Sequence, residues 1–99
     1  MRVFISQPMN GRTYSEIKNE RKKAIEAVRK EYPDEEIEII DNLFDEDYET
    51  NPLWNLGQSI AMLSTADLAF FAEGWNNARG CRIEFVCACE YGIKFITVM

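Results

Sequence analysis

The sequence predicts an α/β fold in which a four-stranded parallel sheet lies between two layers of helices, a three-layer α-β-α arrangement. Apolar runs of strand length alternate with segments of helical periodicity in the order β-α-β-α-β-α-β. The connections between them are short, and such alternation is typical of parallel sheets. The chain has 99 residues, of which 46% are apolar and 28% charged. We therefore expect one globular domain over residues 1–99.

Start and stop signals define the three predicted helices. Thr13 and Glu16 have the spacing of a capping box at the start of the first helix. Asn51-Pro52 supplies a favourable N-cap and first helical residue for the second helix, and Gly92 is a C-terminal stop for the third. The predicted elements, in chain order, are a strand at 3–6, a helix at 14–31, a strand at 36–40, a helix at 52–65, a strand at 67–72, a helix at 80–91 and a strand at 94–99.

The loops that follow the strands are the expected place for a ligand. Residues 67–72 read D-L-A-F-F-A, which is apolar enough for a strand buried on both faces. In such sheets ligands bind beyond the carboxyl ends of the strands, near the point where the strand order reverses. The loops at that edge are residues 7–12, 41–51 and 73–80, and they are the most unusual stretches of the chain.

Composition excludes several classes of function. The chain has no histidine, so Ser-His-Asp catalysis, Cys-His catalysis and histidine-ligated zinc are impossible within it. The net charge of −6 argues against a nucleic-acid polymer as partner. No apolar run approaches the roughly 18 residues that a membrane span requires. Because the sequence runs straight into the first strand, we expect no signal peptide. We expect no membrane partner.

The cysteines and the small size indicate a location and an assembly. Cys81, Cys87 and Cys89 lie close together in one predicted helix, which is not a disulfide framework. We interpret them as small buried hydrophobes in a reducing cytoplasm, not as metal ligands. A domain of this size buries only about 60 to 65% of its unfolded surface, so we also expect a homo-oligomer.

Glu84 is the strongest catalytic candidate among the residues. It lies in the first turns of an otherwise apolar helix, where the positive helix end favours the ionised carboxylate and burial opposes it. An ionised carboxylate in a dry pocket is a good nucleophile toward an electron-poor carbon such as C1 of a sugar. The alternative is a structural ion pair with Arg82, Arg79 or another basic group.

Two loops contain candidates for ligand binding. Gly11-Arg12 precedes a helix N-terminus, where backbone N–H groups and one guanidinium could hold a phosphate or carboxylate. The alternative there is a turn with a solvated arginine. In the loop before the third helix, Trp75 could stack on a base, while the amides of Asn76 and Asn77 read a base edge or a sugar hydroxyl. The alternative is a surface loop anchored by a packed tryptophan.

Three strings carry a resemblance to a known group of proteins. They are V-F-I-S-Q-P-M-N-G-R at residues 3–12, A-D-L-A-F-F-A at residues 66–72 and G-C-R-I-E-F-V-C-A at residues 80–88. Over nearly its whole length the chain resembles the nucleoside 2-deoxyribosyltransferase-like group, which includes 2'-deoxynucleoside 5'-phosphate N-hydrolases. Within that group it is most similar to a small bacterial and phage family of unknown function. The resemblance implies a flavodoxin-like fold of the deoxyribosyltransferase type.

The resemblance also implies a mechanism and a site. In those enzymes the glutamate of G-x-x-x-E attacks the anomeric carbon and releases the base, and water or a second base resolves the glycosyl-enzyme. That role falls on Glu84, with Gly80 letting the sugar approach, and no metal or organic cofactor is needed. The implied partner is a small nucleoside or nucleotide. The residues expected to bind it are Ser6, Gln7, Met9, Asn10, Gly11, Arg12, Trp75 and Arg79.

The chain departs from the enzymes' pattern. Ser59 stands where they carry an aspartate, Ala78 stands where they carry Ser or Asp, and Val3 or Phe4 replaces a tyrosine. An acid that protonates the leaving base is thereby missing, and Asp41 and Arg79 are candidate substitutes.

Three interpretations remain. The first is an enzyme that cleaves or exchanges an N-glycosidic bond. The second is a binding module that holds a nucleotide-like ligand without turnover. The third is an oligomeric interaction protein, which exposed aromatic rings at Tyr48, Trp54 and Trp75 would fit.

Overall fold

The protein folds into a four-stranded parallel sheet with three helices, which confirms the predicted α/β class. The computed structural model describes residues 1–42 and 51–98; Tyr48 and most of the loop at 41–51 lie outside them. The strands are β1 (Arg2–Ser6), β2 (Glu38–Ile39), β3 (Leu68–Phe71) and β4 (Phe95–Thr97), and the helices are α1 (Tyr14–Glu31), α2 (Pro52–Leu63) and α3 (Arg79–Glu90). A 3₁₀ helix at Trp75–Asn77 occupies part of the predicted loop before α3.

Alternation along β1 directs side chains into two apolar layers. Val3 and Ile5 belong to a cluster with Ala24 and Val28 of α1 on one face. Phe4, between them, belongs to a second cluster, which includes Leu63 at the end of α2 and Ala88 of α3. The period of two along a strand requires this division, and it generates the three α-β-α layers.

The strand order β2-β1-β3-β4 has its switch point between β1 and β3, at their carboxyl ends. β1 pairs in parallel with β2 on one side and with β3 on the other. The chain goes from β1 to β2 and from β3 to β4, so the connections that leave β1 and β3 run toward opposite edges of the sheet. Ser6, the last residue of β1, is in register with Phe71, the last residue of β3. A crevice therefore opens between the loops that follow these two strands.

The termini of α1 and α2 follow the sequence signals. The Thr13 hydroxyl accepts a hydrogen bond from the backbone N–H of Glu16 at 3.1 Å, and the Glu16 carboxylate accepts one from the backbone N–H of Thr13 at 2.9 Å. The pKa of Glu16 is lowered, chiefly because its carboxylate accepts the bond from the backbone N–H of Thr13, with a further contribution from the Thr13 hydroxyl. Asn51 caps α2 through the backbone N–H of Trp54. Within the described residues, no helix has the length and apolar composition needed to cross a bilayer.

Arg21 is a buried cation on the packed side of α1. It is only 8% exposed, and its guanidinium donates to the carbonyl oxygen of Ile40 at 2.8 Å, to Oδ1 of Asn42 at 2.9 Å and to Oε1 of Gln7 at 3.3 Å. The Asn42 side-chain amide in turn donates to the carbonyl oxygen of Ile5 at 3.0 Å. These bonds join α1 to the carboxyl ends of β1 and β2, next to the crevice.

We expect Arg21→Leu to lower the free energy of unfolding by about 2 kcal/mol, because it leaves buried acceptors without donors. Urea denaturation at neutral pH measures the change. Arg29→Leu, the same substitution at an exposed position of α1, is the control and is expected to stay within about 0.5 kcal/mol of the wild type. Equal stability of the two variants would show that the Arg21 bonds contribute little to the fold.

Candidate active site

Glu84 lies where three elements of the fold meet. It is 6% exposed and belongs, with Cys81 and Ala88, to the buried stripe of α3. The Ser6 hydroxyl, at the end of β1, donates a hydrogen bond to Oε1 of Glu84 at 2.7 Å. The Ser59 hydroxyl, on the buried side of α2, donates one to Oε2 at 2.6 Å. Each carboxylate oxygen is therefore held by one serine.

The ionisation of Glu84 is set by opposing effects. Burial raises the pKa of this carboxyl group, and it is the largest influence on it. The hydrogen bonds from Ser59 and Ser6 act in the opposite direction, because they favour the charged form. Neither of the ion pairs found among the described residues, Arg2 with Glu38 and Arg12 with Glu20, involves Glu84. Among the described residues, Glu84 therefore does not form the structural ion pair with Arg79 or Arg82 that was the alternative to a catalytic role.

An open cleft adjoins Glu84. Its volume is about 1030 Å³, which lies at the upper end of the roughly 300–1,000 Å³ typical of small-molecule pockets. The loop after β1, the beginning of α2 and the beginning of α3 supply most of its wall. Glu84 is the only carboxylate among the described residues that line it. The cleft thus joins a buried carboxylate to a space large enough for a nucleoside.

Most of the predicted site residues share this cleft. Those in its wall are Ser6, Gln7, Met9, Asn10, Arg12, Arg79, Gly80 and Glu84. Gln7 has an internal role as well, since its side-chain amide donates to the carbonyl oxygen of Ile17 at 2.8 Å. Packing inside the protein does not require a glycine at position 80, because a Cβ on Gly80 would make only an ordinary contact of 3.8 Å with Leu56.

Gly11 and Trp75 do not line the cleft. Gly11 has a φ of 76°, the left-handed conformation that favours glycine, and so serves the turn itself. The ring of Trp75 packs 4.6 Å from that of Phe85 and 5.6 Å from that of Phe71, measured between centroids. This aromatic packing corresponds to the anchored tryptophan that the sequence left as the alternative to base stacking.

The arginines near the cleft differ in how their charges are matched. Arg12 is held by Glu20 at 2.6 Å, and it also donates to the carbonyl oxygen of Pro8. Gly74 lies against it: a Cβ there would be 3.3 Å from Nη2 of Arg12. Arg79 and Arg82 are exposed in the cleft wall and form no ion pair with any described residue. They are therefore better placed than Arg12 to meet an anionic ligand.

Cys81 is not a second nucleophile. Its thiol is buried in the cleft wall, and burial raises its pKa to about 12, with a further contribution from the nearby charge of Glu84. It is therefore a neutral thiol at physiological pH, and only the thiolate is nucleophilic. Within residues 1–42 and 51–98, no group of three or more Cys, Asp or Glu is arranged to hold a metal ion.

Two polar residues at the cleft have only a weak signal in the sequence. Ser59 enters the prediction only as a departure from the enzymes, yet it holds one oxygen of the candidate nucleophile. Its signal is a small polar residue four positions before Leu63, on the buried face of α2. Asn42 lines the cleft, whereas the neighbouring Asp41, the predicted substitute acid, is exposed and does not.

Comparison of the chain with protein-family models, with curated proteins and with solved structures found no match. The function is therefore inferred from the chemistry of the cleft.

We expect the stability of the wild type, relative to Glu84→Gln, to fall as the pH rises above about 4.5. Folding raises the pKa of Glu84, so the folded state holds this proton more tightly than the unfolded state. The protonated carboxyl contributes its full stabilisation below the pKa that Glu84 has in the unfolded state. That contribution is lost as the pH rises through the higher pKa that Glu84 has in the folded state. Urea denaturation between about pH 4 and pH 8 measures the difference.

Glu26→Gln is the matched control, because it removes the same charge from an exposed position of α1. Its stability difference from the wild type is expected to vary little over that pH range. If Glu84→Gln behaves in the same way, burial does not perturb the ionisation of Glu84.

Proposed function

We propose that this protein cleaves or exchanges the N-glycosidic bond of a nucleoside or nucleotide, with Glu84 as the nucleophile. One observation carries the proposal. A buried carboxylate is fixed by two serines, has no cationic partner among the described residues and adjoins an open cleft. Such a group is poorly hydrated and oriented, which favours attack on an electron-poor carbon. The resemblance to the nucleoside 2-deoxyribosyltransferase-like group is part of this hypothesis.

The first step forms a covalent intermediate. One oxygen of Glu84 attacks C1 of the sugar, the bond between C1 and the base nitrogen breaks, and its electron pair leaves with the base. The departing base then takes up a proton from solvent water. The product is an ester between Glu84 and the sugar, and the configuration at C1 is inverted.

The second step regenerates the carboxylate. Water, or a second base, attacks C1; the ester bond breaks, and its electron pair returns to Glu84. The attacking group loses a proton to solvent. Water as acceptor gives hydrolysis, a base gives exchange, and neither route requires an organic cofactor or a metal.

Ser6 and Ser59 position the nucleophile in both steps. Their hydroxyls fix the plane of the carboxylate, and they stabilise the negative charge that returns when the ester breaks. Neither is a strong acid, and the described cleft wall contains no second carboxyl group. We therefore expect turnover to be about 10²- to 10⁴-fold slower than with a dedicated acid for the leaving base.

The cleft walls favour a small polar ligand. The side-chain amides of Asn10 and Asn77 are suited to sugar hydroxyls or a base edge, and Arg79 and Arg82 to an anionic group. As parts of the same proposal, the protein acts in the cytoplasm, where its three free cysteines stay reduced, and it works as a homo-oligomer.

We expect the wild type to release free base from at least one member of a panel of deoxynucleosides and their 5'-monophosphates. Glu84→Ala should lower the rate by at least about 10³-fold, because it removes the atom that forms the intermediate. Glu26→Ala, the same substitution at an exposed position of α1, should retain the wild-type rate. Chromatography of the released base is the measurement.

If the wild type releases base no faster than Glu84→Ala with any of these substrates, the enzymatic proposal is refuted. The absence of an acid at Ser59 and Ala78 favours one other function, a module that binds the ligand without turnover. A rise in the melting temperature with a nucleotide, without any product, would identify that module.

We also expect kcat/KM to rise with pH as Glu84 ionises, with a midpoint above the ordinary pKa of a glutamic acid. Ser59→Ala removes a hydrogen bond that lowers this pKa, so the rise should move to higher pH. Ser64→Ala, at an exposed position just after α2, is the control and should leave the profile unchanged. An identical profile for Ser59→Ala would contradict the role assigned to its hydroxyl.

A further inference from the structure

The outward face of α3 has an unusual composition. Ile83 is 38% exposed and Val86 is 56% exposed, although both are aliphatic residues in the middle of a helix. Arg79 precedes them and Glu90 follows them at the spacing of one helix face, and all four residues are exposed. At its beginning this face borders the cleft, because Arg79 and Ile83 also lie in the cleft wall. We call these four residues the α3 stripe. It reads cation, apolar, apolar, anion from the beginning of the helix to its end.

Two further exposed apolar residues lie at the beginning of α2. Leu53 is 78% exposed and Trp54 is 58% exposed. Both lie less than one turn before Leu56, whose Cδ1 would be 3.8 Å from a Cβ on Gly80, at the beginning of α3. The beginnings of α2 and α3 are therefore neighbours, and Leu53 shares the wall of the cleft with Arg79 and Ile83. Isolated exposed apolar residues are ordinary, but several of them on neighbouring helices favour an interaction surface.

The order of charges on the α3 stripe makes it complementary to itself. If two copies of α3 pack antiparallel about a two-fold axis between Glu84 and Phe85, Ile83 of one copy faces Val86 of the other. The same axis sets Arg79 of one copy against Glu90 of the other. A two-fold interface requires this match, because each residue of the patch must suit its own counterpart. A parallel arrangement would instead bring like charges together.

We propose that a second copy of this chain docks on the α3 stripe to form a two-fold homodimer. The helix has 12 residues and is about 18 Å long, so the two apolar pairs lie at its centre and the two ion pairs near its ends. The chain has a net charge of −6, which disfavours close approach of two copies in general. The α3 stripe is locally neutral, and with the exposed Arg82 beside it this face carries more positive than negative charge.

Charge reversal tests the arrangement directly. Sedimentation velocity from low micromolar to millimolar concentration should show a concentration-dependent dimer of the wild type. Glu90→Arg and Arg79→Glu should each weaken it by at least about tenfold, since each replaces two attractions per dimer with two repulsions. The double variant R79E/E90R should restore the dimer, because the exchanged charges again face their opposites.

Val86→Asp tests the apolar centre and should also weaken the dimer by at least about tenfold. Circular dichroism confirms that each variant is folded, as expected for exposed positions. Glu26→Arg reverses a charge on the exposed face of α1 and should leave the dimer unchanged. A wild type that is monomeric at every concentration would overturn the proposal, and so would a dimer that Glu90→Arg and Val86→Asp leave intact. These measurements do not depend on catalysis by Glu84.

Discussion

The burial of one ionisable carboxylate is the constraint on which the site depends. A carboxylate loses much of its hydration when it leaves water, and in this protein two serine hydroxyls replace part of it. Those hydroxyls come from β1 and α2, while Glu84 comes from α3. The contact therefore exists only when the strand order is correct and both helices pack on the same face of the sheet.

The same carboxylate links stability to chemistry. An alanine or leucine would fill the buried stripe of α3 between Cys81 and Ala88 without a desolvation cost. A charged residue at such a position breaks the local rule for a helix that packs on a sheet, and such exceptions occur mainly at functional sites. On the other face of the sheet, Arg21 holds the ends of β1 and β2 through neutral acceptors. Burial lowers the pKa of Arg21, although the nearby charge of Asp41 partly compensates.

Local patterns in the sequence were enough to predict the order of strands and helices, because periodicity and capping act within a few residues. The strand ends were less predictable. Residues 36–40 have a strand pattern, but β2 is confined to Glu38–Ile39, where it pairs with β1 at the edge of the sheet. The long-range contacts could not be predicted, since the bond from Ser59 to Glu84 spans 25 residues and that from Ser6 spans 78. The burial of Arg21 was not predicted either, although Arg21 shares helical spacing with Ile17, Ala24 and Val28 on the packed side of α1.

Helix α3 brings the proposed chemistry and the proposed assembly within a few ångströms of each other. Its inner stripe carries Glu84, its first turn carries the cations of the cleft wall, and its outer stripe would meet a second copy. Arg79 belongs to both of the last two groups. In the dimer its charge is matched by Glu90 of the second copy, which leaves Arg82 as the cation available to an anionic ligand. An anion bound to Arg79 would compete with the dimer contact, and thermodynamic linkage makes that competition reciprocal. Whether ligand binding and assembly oppose each other would therefore depend on which of these two arginines binds the anion.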